Sequence, residues 1–399
     1  MSVNPYAPGA GTSPPVLVGR EAQLAVIENS ARLVEAGRSP QHVILTGLRG
    51  VGKTVLLKDA ARRMRSRGWL CGYYEVRRNV DVGITISTIV AEGAGLLPKQ
   101  ARLRRALRSL RSSIGSATIS GAADGSVSVQ LAARDGSAPT GDPYLEALTL
   151  FRSLSRAAAD DDAGVALCVD EVQLFRRRDA ATLIQTLQAV DGTQDGRVLL
   201  LAAGLPPTPV ELAKASSYAE RFRYEPLDDL TAADARIAVA EAALPERVGW
   251  DPDALEAVVA LARGYPFFLQ LYASEAWDVA AERQAPLAQI TLADVRAAEP
   301  RVRRRLDAGL YATRYGRSSP GEREYLVAIA RAMPGDGGIA RSGEVARALV
   351  KSLSELSPVR ERLIQKGVIH APTHGALAFS VPGFRDYLLR RGDGEGSGD

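Results

Sequence analysis

The sequence predicts an α/β protein on a doubly wound parallel sheet, followed by an all-helical stretch and a small module of helices and a hairpin. Three observations carry that prediction. Gly47-Leu48-Arg49-Gly50-Val51-Gly52-Lys53-Thr54 fits the phosphate-cradling pattern G-x-x-x-x-G-K-[ST] at every fixed position. Roughly 120 residues later, Val165-Ala166-Leu167-Cys168-Val169 forms an apolar run that ends in Asp170-Glu171, the shape of a buried strand delivering carboxylates to its C-terminal edge. Apolar runs alternate with helix-period segments through this region, the order of a sheet with helices on both faces.

Residues 1–15 are too rich in Pro and Gly for regular structure and read as an extended arm. Val16-Leu17-Val18-Gly19-Arg20-Glu21 leads into an amphipathic helix through Leu24, Ile27 and Leu33. Val43-Ile44-Leu45-Thr46 is a β-branched strand and Val55 to Ala61 a helix, so the glycine-rich segment stands between strand and helix. This is the P-loop arrangement of nucleoside triphosphatases. Glycines let successive N–H groups converge, and the helix adds its positive dipole end; together they cradle anionic phosphate. Gly47, Gly50, Val51, Gly52, Lys53, Thr54 and Val55 are the expected contacts, with Lys53 reaching the β- and γ-phosphates and the Thr54 hydroxyl binding Mg²⁺.

Trp69 to Val76 reads as a second strand and Ile84 to Leu97 as a helix. Lys99 to Arg111 reads as an amphipathic helix with a strongly basic face, able to meet nucleic acid phosphates or simply solvent. An Asp124-Gly125 turn between Ser116 to Ser120 and Ser126 to Leu131 predicts a β-hairpin, and the polar loop to Pro143 closes an insertion near residues 99–143. Beyond it, Asp170 is expected to hold the magnesium through water while Glu171 orients and polarises the attacking water. Arg197 to Ala203 is the next buried strand, and the core ends near residue 228.

Val18-Gly19-Arg20-Glu21, the phosphate loop, Asp170-Glu171 and Arg263-Gly264-Tyr265-Pro266 together resemble the AAA+ ATPases, in particular the initiator-like (origin-recognition-like) and STAND-related group. The resemblance covers nearly the whole chain outside the insertion and tails. It implies ATP with Mg²⁺, with the backbone of Val18, Gly19 and Arg20 against the adenine and Pro266 near the adenine or ribose. It implies a helical lid over residues 229–300. It also implies an arginine finger at Arg221 or Arg223 that would act on a neighbouring copy; a surface salt bridge is the other reading of either. Relatives place a polar sensor at the end of the strand after Glu171, whereas this chain has Gly204-Leu205-Pro206; Gln173 is the candidate to take up that task, an exposed loop amide being the other and commoner reading. Turnover is therefore expected to be slow or partner-dependent.

Residues 301–318, with Arg301, Arg303, Arg304 and Arg305, read as a basic linker. Residues 319–391 read as a winged helix: helices over Gly321 to Ala332, Ser342 to Leu349 and Ser357 to Gln365, then a hairpin around Thr373-His374-Gly375. Ser354, Ser357, Arg360, Arg362 and Lys366 lie on or beside the would-be recognition helix. Residues 392–399 read as a disordered tail.

The composition is that of a globular chain: 399 residues, 46% hydrophobic, with 50 Lys plus Arg against 46 Asp plus Glu. That near-balance leaves nucleic-acid affinity to local patches. The two cysteines, Cys71 and Cys168, sit in apolar runs and read as reduced core thiols. His42, His370 and His374 are too isolated for a metal site. No apolar run of about 18 residues and no charged-then-apolar leader occur, so a cytoplasmic setting without a membrane is expected. Two purposes stay open, a DNA-associated ATPase acting through the winged helix and a STAND-like regulatory switch whose winged helix meets protein. The partners implied are ATP or ADP, double-stranded DNA, and a further copy of the chain or another protein.

Overall fold

A computed structural model describes residues 3–9, 11–97, 118–121, 127–130, 142–191, 193, 196–284, 286–335 and 338–395. The chain divides into two compact units: residues 20–47 with 53–227, and residues 1–19, 48–52 and 228–399.

The first unit follows the alternation read from the sequence. It runs α1 (Glu21–Glu35), β1 (Val43–Gly47), α2 (Lys53–Ser66), β2 (Leu70–Glu75), α3 (Val82–Leu96), β3 (Thr118–Gly121), β4 (Val127–Gln130), α4 (Pro143–Ala159), β5 (Val165–Asp170), α5 (Arg177–Asp191), β6 (Val198–Gly204), α6 (Thr208–Ala215) and β7 (Arg223–Leu227). The main sheet has five strands in the order β2-β5-β6-β1-β7, every pair parallel. Helices on both faces explain the unbroken apolar runs: every residue of β5 and β6 is buried. Cys71 and Cys168 are buried free thiols on adjacent strands with their Sγ atoms 3.5 Å apart. The helix α3 lies so close on β2 that a Cβ at Gly72 would run into the Ile89 carbonyl, while one at Gly93 would stand 3.0 Å from the Cys71 backbone. Asp81 caps this helix by accepting from the Gly83 N–H at 2.8 Å.

The predicted hairpin is present as the antiparallel pair β3 and β4, with Ile119 opposite Val129. Its Asp124-Gly125 turn and the basic helix expected over Lys99 to Arg111 lie outside the described residues.

The second unit begins with the N-terminal segment, which has no helix or strand among its described residues yet is tightly anchored. The Asn4 amide donates to the Ser274 carbonyl at 3.1 Å and to Asp278 Oδ1 at 2.8 Å, and the buried Tyr6 hydroxyl donates to the Val239 carbonyl at 2.7 Å. There follow α7 (Ala232–Ala243), β8 (Gly249–Trp250), α8 (Pro252–Ala262), α9 (Pro266–Arg283), β9 (Gln289–Ile290) and α10 (Leu292–Leu306). Thr231 caps α7, accepting from the Asp234 N–H at 3.1 Å.

The segment expected as a basic linker is helical instead: α10 passes through a π turn at Asp307–Tyr311 into α11 (Ala312–Gly316). Its arginines are paired, Arg301 with Glu282 at 2.7 Å, Arg303 with Glu299 at 3.2 Å and Arg305 with Glu275 at 2.9 Å. Glu282 and Glu275 on the preceding helix, invisible in a local charge count, pair with two of these arginines, and Glu299 on α10 itself pairs with a third.

The chain ends with α12 (Pro320–Ala332), β10 (Ala340–Arg341), α13 (Ser342–Ala348), α14 (Leu353–Gln365), β11 (Ile369–His370), β12 (Ala376–Phe379) and α15 (Phe384–Glu395). The three strands form a sheet in the order β10-β12-β11, antiparallel in both pairings. Strand β10 is too short to register as a sequence pattern. The helix α15 carries four residues, 392–395, into the segment expected to be without structure. Among the described residues, no helix is long and apolar enough to cross a membrane.

Candidate nucleotide site

Strands β5, β6 and β1 are neighbours and run parallel, so Asp170, Gly204 and Gly47 all emerge at one edge of the sheet. A ligand in an open parallel sheet sits beyond that edge. The phosphate loop leaves β1 there. Gly50 at φ 88° and Gly52 at φ 95° occupy the left-handed region that side chains disfavour; the pattern fixes glycine at 52, and Gly50 fills a variable place with the same freedom.

Lys53 is the first residue of α2 and is 7% exposed. Its ammonium donates to the Gly47 carbonyl at 2.9 Å, which holds it over the loop. The Thr54 hydroxyl donates to Asp170 Oδ2 at 2.5 Å across roughly a hundred intervening residues. Two further donors fix that carboxylate: the Tyr73 hydroxyl at 3.0 Å to the same oxygen and the Glu171 N–H at 2.8 Å to Oδ1. Burial first, then the charge of Asp170 and its hydrogen bond, raise the Tyr73 phenol well above its ordinary range, so it stays protonated and donates. A Thr hydroxyl in contact with one carboxylate is a hard-oxygen pair that fits Mg²⁺, an ion normally held by one or two carboxylates together with substrate phosphates and water. Among the described residues there is no cluster of three or more His, Cys, Asp or Glu that would make a metal cage from protein alone.

Glu171 stands at φ 52°, a left-handed conformation that costs a non-glycine residue of order 1–3 kcal/mol. The turn redirects the chain at the strand end, and the short helix Val172–Leu174 follows. Gln173 then reaches back: its amide nitrogen donates to Glu171 Oε2, while its Oε1 accepts from the Leu205 N–H at 3.3 Å. One amide thus ties the second carboxylate to the end of β6. Gly204 is glycine for a reason on the same page: a Cβ there would stand 2.8 Å from Gln173 Oε1 and run into the Thr208 hydroxyl. Gln173→Ala is expected to slow ATP turnover about tenfold or more while leaving nucleotide affinity within a few-fold, since it loosens Glu171 without touching the loop. Phosphate release beside nucleotide titration measures both, and unchanged turnover would remove Gln173 from the mechanism.

Arg221 ends a short helix with its guanidinium 5.6 Å from the Tyr218 ring centre. Arg223 pairs with Glu225 at 2.5 Å. Arg223 lies opposite Val43, at the start of β1, whereas Leu227 lies opposite Gly47. At about 3.3 Å per residue the arginines are roughly 13 Å of strand away from the loop edge of their own sheet.

In the second unit, the Gly264-Tyr265-Pro266 element joins α8 to α9. Arg263 at φ 51° and Gly264 at φ 75° make the turn, and the Gly264 carbonyl accepts from the Leu230 N–H at 2.8 Å. Tyr265 caps α9, Pro266 is its first residue, and the Tyr265 hydroxyl donates to the Arg49 carbonyl at 2.6 Å. Burial is the main reason its phenol is pushed up to about 12. Gly50 lies against the same hydroxyl, which a Cβ would strike. Gly19, at φ 67°, belongs to this unit beside Asp234, 2.8 Å from a would-be Cβ, while Arg20 belongs to the first unit and is buried at 6% exposure.

The structure therefore gathers Lys53, Thr54, Asp170 and Glu171 as expected and adds Tyr73 and the Gln173 bridge. Tyr73 carried no local signal. Only the pairing of Glu75 with Asp170 in the β2–β5 register brings it alongside.

Residues 16–201 match the family model of the AAA ATPase domain. Residues 308–388 match a model described as a domain of unknown function, DUF8462. No curated protein matches the sequence. Among solved structures, the chain is similar to Orc1 from Aeropyrum pernix in complex with DNA, at 17% identity over 94% of both chains with a TM-score of 0.45. It is similar to the RuvB Holliday junction branch migration motor of Thermotoga maritima, at 16% identity over 90% of this chain and 92% of that one, TM-score 0.43. A third is Cdc6p from Pyrobaculum aerophilum, at 16% identity over 97% of both chains, TM-score 0.43.

Proposed function

With residues 16–201 an AAA ATPase domain, we propose that the chain binds ATP with Mg²⁺ and hydrolyses it to drive a conformational switch. The observation that carries this reading is the contact of Thr54 with Asp170, flanked by Lys53 on one side and by the Glu171–Gln173–Leu205 bridge on the other. The loop N–H groups and Lys53 bind the β- and γ-phosphates. Magnesium, when bound by Thr54 and Asp170, supplies the charge that neutralises the phosphates. Glu171 orients a water whose oxygen attacks the γ-phosphorus; the bond to the β–γ bridging oxygen breaks, and ADP and phosphate leave. Tyr73 keeps Asp170 in place, and Gln173 keeps Glu171 aimed. Arg221 or Arg223 is the proposed finger toward a second copy of the chain.

For residues 319–391, the helices α12, α13 and α14 with a three-stranded antiparallel sheet, closed by α15, support a winged helix that contacts double-stranded DNA through α14, with Ser354, Ser357, Arg360 and Arg362 on it. A second reading, a STAND-like switch whose winged helix meets protein, draws on two observations. The buried Glu322 draws Lys366 in at 2.6 Å and Arg362 at 3.5 Å, reducing the charge left for phosphate. At the head of α14, Val350 is 91% exposed and Leu353 57% exposed, and Val350 sits at φ 53°, a strained conformation for a β-branched residue.

ATP turnover with and without duplex DNA, over a series of salt concentrations, separates the two. DNA-stimulated hydrolysis and an affinity that falls steeply with salt support the first reading. Weak basal turnover, co-purifying nucleotide and indifference to DNA support the second. Turnover that survives Lys53→Ala would overturn the site itself.

A further inference from the structure

A cavity of about 310 Å³ within the second unit is bordered by Leu48 and Tyr265 on one side and by the β11–β12 hairpin and the start of α15 on the other. Two polar atoms in its lining residues have no hydrogen-bond partner: Ser380 Oγ, on a residue only 2% exposed, and His370 Nδ1. An unpaired buried donor or acceptor is disfavoured, so two around one cavity ask for a common explanation. The hairpin register supplies it. His370 lies opposite Ala378, and the Ser380 N–H donates to the Val368 carbonyl at 3.0 Å, so His370 and Ser380 are diagonal neighbours on one face, about 7–8 Å apart. On that face the diagonal is flanked by Val368 and Ala378, and the small Ala378 methyl leaves room on its side.

The lining carries no excess of formal charge. Arg263 and Arg385 are balanced by Asp229 and Asp386. Arg385 is also spent on the protein: its Nε donates to the Ala330 carbonyl at 3.1 Å, and its other nitrogens reach the Met333 carbonyl at 3.4 Å and Asp386 at 3.2 Å. Burial lowers the His370 pKa from its ordinary value, so the ring is neutral near pH 7 and offers one nitrogen as donor and one as acceptor. Leu48, Met333, Val381 and Pro382 complete an apolar wall. A concavity of this size, lined by both polar and apolar residues with two convergent unpaired polar atoms, has the form of a small-molecule site.

We propose that this cavity binds a small uncharged molecule through an amide-like edge, a hydrogen-bond donor beside an acceptor, that bridges Ser380 Oγ and His370 Nδ1. Two hydrogen bonds of roughly 2.9 Å, with such an edge between them, span the diagonal. Lys53 and Thr54 are not among the lining residues, but Leu48 of the phosphate loop is, so displacement by ADP is measured alongside probe binding.

Benzamide, nicotinamide and 2-pyridone serve as probes, each a ring with an amide edge, titrated on the full chain by ligand-observed NMR. At least one is expected to bind with a Kd of about 1 mM and to lose about tenfold in affinity in Ser380→Ala and in His370→Phe. Ala378→Leu is expected to abolish binding by filling the room beside the diagonal, and all three variants are expected to bind ATP as the parent does. Ser380→Ala has a second readout: with an unpaired hydroxyl removed, its melting temperature is expected to equal or exceed the parent's. The proposal fails if no probe binds, if binding is the same in all three variants, if excess ADP displaces the probe while Ser380→Ala leaves it unaffected, or if Ser380→Ala melts lower.

Discussion

Glu171→Gln is expected to bind ATP with near-parental affinity and to turn it over about 10²–10⁴-fold more slowly, the usual contribution of a positioned general base. The amide keeps the size of the carboxylate and can still meet Gln173, but it cannot take a proton from water. Lys53→Ala is expected to act one step earlier and lose ATP binding, because the ammonium held at the Gly47 carbonyl is the cation the motif places on the β- and γ-phosphates. A fluorescent ATP analogue measures binding and phosphate release measures turnover, with the parent chain alongside. Glu171→Gln that hydrolyses at the parental rate would sink the role given to that carboxylate. Lys53→Ala that binds ATP unchanged would sink the loop. The contrast between the variants, one binding without turnover and the other not binding, is the signature of the site.

Gly72→Val is expected to destabilise the first unit by about 3 kcal/mol, at the upper end of the cost of overpacking a core. The reason is backbone against backbone: a side chain at Gly72 meets the Ile89 carbonyl of α3, which no rotamer change can move aside. Relief requires α3 to lift off β2, and the next residue on that strand is Tyr73, which holds Asp170. The same variant is therefore expected to lower turnover beyond what its stability explains. Gly95→Ala is the control. It lies on the same helix with nothing within 4 Å of a would-be Cβ, so it is expected to stabilise by about 0.4–1 kcal/mol by restricting the unfolded chain. Urea denaturation of both measures the difference, and a Gly72→Val chain as stable as the parent would show that α3 is not seated as described.

The parts of this protein legible in the sequence are those whose physics is local. The phosphate loop is a contiguous run because consecutive N–H groups and two closely spaced left-handed glycines, Gly50 and Gly52, make the cradle. Asp170-Glu171 is legible because an apolar run ending in carboxylates already says that a buried strand reaches an edge. The helix start at Thr231 is legible because a cap acts within one turn, and the start at Asp251 because Pro252 takes the first helical position. With these, the alternation of strand and helix determined a parallel α/β sheet and the edge at which its chemistry sits.

Other features depended on register and on distant partners. Tyr73 reaches Asp170 only because β2 pairs with β5 as it does. Gln173 becomes more than a loop amide only when the end of β6 brings the Leu205 N–H within its reach. The run of arginines from Arg301 to Arg305 reads as free positive charge until Glu275 and Glu282 arrive from α9, and the N-terminal segment reads as loose until Ser274, Asp278 and Val239 bind Asn4 and Tyr6. A sequence window contains the residues of one turn or one strand, and it determined which chemistry this chain holds. Hydrogen bonds and ion pairs are short, and only the tertiary structure decided which residues, tens or hundreds apart along the chain, come within 3 Å of that chemistry.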